Sequence, residues 1–109
     1  SLVPPGVGAE ACVAQMVDLT VKADGLAAVL TALASLGRDL KAEDGVHCLP
    51  LQQEEVFDGH KESLRLVCVY SSVACMGKNT GKINAFLQGL GDKLADKATQ
   101  TVYNVLGTS

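Results

Sequence analysis

A chain of 109 residues, 48% of them apolar, is long enough for one hydrophobic core and points to a single domain. Nine basic against twelve acidic residues leave a formal charge of −3, which excludes the clustered positive surface that tracks nucleic-acid phosphates. No apolar stretch reaches the roughly 18–20 residues that cross a bilayer. With no Trp, two Tyr and two Phe, the core must be built from Leu, Val and Ala.

Residues 1–8 read as an extended Pro/Gly-rich entry segment, with one helical domain over 9–109. From Ala9 to Lys22, Cys12, Val13, Met16, Val17 and Thr20 recur at three- and four-residue spacing and predict a first helix. The β-branched end Leu19-Thr20-Val21 leaves a strand there as the lesser alternative. Asp24 is an N-cap for a second helix with the stripe Leu26, Val29, Leu30, Leu33 and Leu36, and Gly37 takes the C-cap position.

Residues 38 to 59 are polar, broken at Gly45 and held out of helical geometry before Pro50. They predict a tethered crossover pinned by Val46, Cys48, Leu49 and Leu51, with Gln52 to Phe57 adding a turn of helix. Asp58 caps a third helix from about His60 to Met76, with Leu64, Val67, Cys68, Ser71 and Cys75 on one face and Leu66, Val69, Tyr70 and Val73 around it. Ser63 to Tyr70 reads alternatively as a buried strand. After Gly77, Asn79 or Thr80 opens a last helix through Leu106, striped by Ile83, Phe86, Leu87, Leu90, Leu94, Ala98, Val102 and Val105. The resulting expectation is an all-α fold: a compact four-helix domain with a long irregular crossover between helices two and three.

Four cysteines in a short chain predict a disulfide framework and an extracellular setting, against buried free thiols in a reducing, cytoplasmic one. Seven residues along a helix separate Cys68 from Cys75 by roughly 10 Å, too far for a bridge. In an up-down bundle that favours Cys12 with Cys68 and Cys48 with Cys75.

No constellation for catalysis emerges. His47, Cys48, His60, Cys68 and Cys75 lack the close spacing of a zinc site. Gly77-Lys78-Asn79-Thr80-Gly81-Lys82 is one residue short between its glycines for a phosphate loop, and Ile83 stands where Ser or Thr is needed. The adjacent carboxylates of Glu54 and Glu55 point to different sides. The expectation is therefore a non-enzymatic protein with no metal, cofactor or nucleic-acid partner. It would bind a hydrophobic small molecule or lipid in the bundle interior, lined by Leu30, Leu33, Leu64, Val67, Phe86, Leu87, Leu90 and Leu94. The alternative is a helical interaction or self-association module, such as a homodimer, using the last helix or residues 45 to 57.

Overall fold

A computed structural model describes residues 12–54 and 60–106. Chain order is β1 (Val13–Thr20), α1 (Leu26–Lys41), β2 (Val46–Gln52), β3 (Ser63–Tyr70), α2 (Val73–Leu90) and β4 (Thr99–Asn104), with short 3-10 turns before α1 and after α2. The strands form one sheet in the order β2-β3-β1-β4, every neighbour antiparallel. Two βαβ-type crossovers place both helices on one face, the ferredoxin-like α+β arrangement.

Strand periodicity explains which residues are inside. In β1, Val13, Gln15, Val17 and Leu19 are buried, while the residues between them face the other way. In β3, Leu64, Leu66, Cys68 and Tyr70 are buried with them. These meet Val29, Leu33, Leu36 and Leu40 of α1 and Ile83 and Leu90 of α2 in one core. The opposite sheet face carries Ala14, Met16 and Val67, with Leu49, Leu51 and Tyr103 exposed.

Hydrogen-bond parity shows how the edge strand β2 tolerates a proline. Ser71 N–H donates to Gly45 O and Gln53 N–H to Ser63 O, so the odd-numbered residues of β2 bond β3 and the nitrogen of Pro50 faces outward. Where α1 crosses β2, a Cβ at Gly37 would stand 3.3 Å from Pro50 Cγ, so glycine permits the close approach. Gly45 has φ +76° at the entrance to β2, and a Cβ there would collide with Ser71 Oγ.

The all-α four-helix expectation is thus overturned. The first predicted helix is β1, the irregular crossover contains β2, and the third element takes its strand alternative as β3. Only α1 stands where a helix is expected, and it runs through Gly37 to Lys41 instead of stopping there. The predicted last helix divides: α2 starts earlier, at Val73 capped by the Ser72 hydroxyl, and ends at Leu90, where Gly91 turns the chain at φ +55° towards β4. The disulfide expectation fails as well. All four cysteines are free thiols, and neither Cys12–Cys68 nor Cys48–Cys75 is a pair; Cys48 instead stands opposite Cys68 across β2 and β3. Residues 1–8, Asp58 and the second half of the turn proposed over 52–57 lie outside the described residues, and Gln52 is the last residue of β2. Among the described residues, no helix is long and apolar enough to cross a membrane.

Candidate active site

The buried part of the helix-facing side of the sheet is aliphatic apart from a thiol pair and one polar line. Gln15 on β1 stands opposite Cys68 on β3 and Val102 on β4. One diagonal step to each side are Tyr70 and Gln100, within reach of long side chains. The Tyr70 hydroxyl donates to Gln15 Oε1 at 2.9 Å, and Gln15 Nε2 donates to Gln100 Oε1 at 2.8 Å. Tyr70 and Gln15 are buried and Gln100 is exposed, so this string of polar groups runs from the core to the surface at β4. Burying a phenol and a carboxamide among Leu and Val is costly unless they satisfy each other, as they do here.

A thiol pair adjoins the string. Cys48 and Cys68 are directly opposed, with their sulfurs 2.9 Å apart and both side chains buried. Hydrogen bonding from Cys48 holds Cys68 below the usual thiol range; burial opposes this and the neighbouring Tyr70 hydroxyl adds to it. The same shared proton, and then burial, push Cys48 up. Tyr70 is also pushed up, first by burial and then by the negative charge that Cys68 would carry. At neutral pH Tyr70 is therefore a hydrogen-bond donor and not a base.

Beside Cys75, a polar pocket of about 340 Å³ opens at the start of α2. Its walls include Ser71, Ser72, Cys75, Lys78 and Asn79 on one side and Glu43 and Asp44 on the other. Asn79 is buried and donates through Nδ2 to Cys75 O at 2.9 Å, while the Cys75 thiol points at the carbonyls of Asp44 and Gly45. The Lys82–Glu43 ion pair, 2.6 Å, joins α2 to the turn before β2 beside this pocket. Of the four thiols only Cys75 is partly exposed. A thiol reagent is thus expected to modify Cys75 first on the folded protein, and all four cysteines after denaturation without reductant. Finding two or fewer reactive thiols in denaturant would contradict this.

The predicted ligand-lining residues are brought together only in part. Leu33, Leu64 and Leu90 are core residues; Leu30, Phe86, Leu87 and Leu94 lie half-buried against that core; Val67 points to the opposite sheet face. The other seven fill a sheet–helix interface and do not line a bundle interior, so binding within a bundle is excluded. Gln15, Tyr70, Asn79 and Gln100 received no site role in the sequence reading. The available signal was Gln15, a polar residue between Val13 and Val17 at what period two makes a buried position.

No family model and no curated protein matches the chain. Solved structures do. A Nitrosomonas europaea protein whose name places it with the antibiotic biosynthesis monooxygenases superposes with TM-score 0.78 at 16% identity, over 92% of this chain and 95% of its own. A Mycobacterium tuberculosis protein gives 0.75 at 19% identity, over 87% and 95%. SnoaB, a cofactor-independent oxygenase from Streptomyces nogalater, gives 0.70 at 11%, over 89% and 95%. Proteins named as oxygenases on this architecture remove the ground for expecting a non-enzymatic helical domain. At these identities the likeness is one of fold: a ferredoxin-like α+β domain similar across nearly its whole length to these structures.

Proposed function

We propose that this chain is an enzyme acting on a small organic molecule, an oxygenase of the cofactor-independent kind, with its site at the Tyr70–Gln15–Gln100 string. The observation that carries the reading is this hydrogen-bonded line of uncharged polar groups across three strands, set in an aliphatic layer and reaching the surface. Without a cofactor, the electrons that reduce the second oxygen atom must come from the substrate. The fitting class is an activated methylene compound, flanked by carbonyl or phenol groups. Its methylene carbon gives up both hydrogens and takes one atom of dioxygen to become a carbonyl; the other oxygen atom leaves with those hydrogens as water. Losing the first proton leaves negative charge on a substrate oxygen. Gln15 Nε2 gives one N–H to Gln100 and has a second for such an oxyanion, a role in which one donor typically contributes about 10²–10³ in rate. The Tyr70 hydroxyl, donating to Gln15 Oε1, orients the carboxamide. The half-buried Leu87 of α2, packed against the same core, supplies apolar surface for the rest of the molecule.

The test is oxygen uptake by purified protein with a panel of keto- and phenol-activated methylene compounds under ¹⁸O₂. The expected result is one O₂ consumed per product and one labelled oxygen in the new carbonyl, above the rate of buffer alone. No acceleration with any member of the panel would overturn the reading.

A further inference from the structure

We propose that Cys48 and Cys68 are a two-electron redox site: reduced in the structure, the pair closes reversibly into a bridge between β2 and β3 when it meets a peroxide. Register places the two thiols face to face. Because the odd-numbered residues of β2 make the hydrogen bonds to β3, Cys48 and Cys68 are a non-hydrogen-bonded pair. In such pairs the Cα atoms stand about 4.5 Å apart and the side chains are at their closest. That separation lies inside the roughly 4.4–6.8 Å that a disulfide spans, near its short end. Both side chains belong to the core, and their sulfurs are 2.9 Å apart. Closing to the bonded distance of about 2.05 Å needs a movement of under about 1 Å, so the strand register is kept.

A buried cysteine by itself is a small apolar residue. This pair differs in three respects. The sulfurs are already in contact, so oxidation of one leaves the other in place to attack it. The hydrogen bond from Cys48 favours the charged form of Cys68, and the thiolate is the nucleophile. Cys48 also lines a groove of about 440 Å³ with Lys41, His47 and Leu49, which gives a molecule as small as hydrogen peroxide a path to the pair. The Cys68 thiolate attacks one peroxide oxygen and the O–O bond breaks. The other oxygen leaves as water with the proton shed by the Cys68 thiol, and Cys68 becomes a sulfenic acid. The Cys48 sulfur then displaces that hydroxyl, which leaves as water with the Cys48 proton. The two sulfurs give up two electrons in all, and the peroxide is reduced to two waters. A dithiol reductant reopens the bridge by thiol–disulfide exchange.

Peroxide treatment of the folded full chain tests the proposal. The protein is incubated with hydrogen peroxide, alkylated with iodoacetamide in denaturant, and mapped by peptide mass spectrometry. The expected result is a single bridge, Cys48–Cys68, with all four thiols recovered after dithiothreitol. Cys75→Ser, which removes the partly exposed thiol, should form the same bridge to the same extent. Cys48→Ser should leave Cys68 without a bridge to any other cysteine. A folded wild type that yields no Cys48–Cys68 bridge under excess peroxide overturns the proposal. So does a mixture of pairings no different from the one formed by the same treatment in denaturant, since the fold would then contribute nothing to the reaction.

Discussion

Gln15→Leu is expected to lower the unfolding free energy by about 1–3 kcal/mol, although it replaces a polar core residue with an apolar one of similar size. The reason is the partner left behind. Tyr70 is fully buried and its hydroxyl donates to Gln15 Oε1; with Leu at 15 that donor is stranded in a low-dielectric layer. Tyr70→Phe leaves the complementary acceptor unpaired. The double variant removes both groups, so its loss should be smaller than the sum of the two single losses by about 0.5–3 kcal/mol. Urea unfolding of the four proteins measures this directly, and simple additivity would mean that the hydrogen bond contributes nothing. On the proposed oxygenase reading, Gln15→Leu also costs about 10²-fold in turnover, because the oxyanion donor is gone.

Leu66→Ala is expected to cost about 2–5 kcal/mol, whereas Val67→Ala should cost about 1 kcal/mol. Both residues lie in one apolar run, and only the strand assigns them opposite fates. Leu66 points into the core between the sheet and the helices at 1% exposure, while Val67 lies half-buried on the opposite face. A helix over these residues, with Val67 on the stripe of Leu64, Cys68 and Cys75, would reverse the order. The ranking by thermal or urea denaturation therefore tests the architecture as well as the two side chains.

That contrast also marks what was legible in the sequence. The stripe of α1 is unambiguous because Leu26, Val29, Leu30, Leu33 and Leu36 have polar or small residues between them. β3 is apolar on both faces, with Val67 and Val69 opposite Leu66, Cys68 and Tyr70, and a continuous apolar run carries no period. β1 hides its alternation differently. Gln15 occupies a buried position, so the visible apolar residues Val13, Met16, Val17 and Thr20 mimic helical spacing. β4 lies beyond Gly91, and its Thr-rich, uncharged composition was a strand signal outweighed by the preceding helix stripe. The site was illegible for the same reason as the fold. Gln15, Tyr70 and Gln100 are far apart in sequence and converge only through antiparallel pairing. The cysteines gave a firm exclusion that rested on a helix; Cys68 is in fact on a strand and Cys75 on α2, and Cys68 faces Cys48 across the sheet.

The most direct test of the site is a side-chain amide NMR titration. ¹⁵N-labelled protein would be titrated with the ketone product of whichever methylene compound it turns over, a ligand that cannot react further. The Tyr70–Gln15–Gln100 assignment predicts that the carboxamide NH₂ signals of Gln15 and Gln100 shift with a single dissociation constant, and that Gln15→Leu weakens binding. Shifts confined to the groove between α1 and α2 around Ala32, Ser35 and Ala85, or to the surface around Leu51 and Arg65, with Gln15 and Gln100 unmoved, would contradict it.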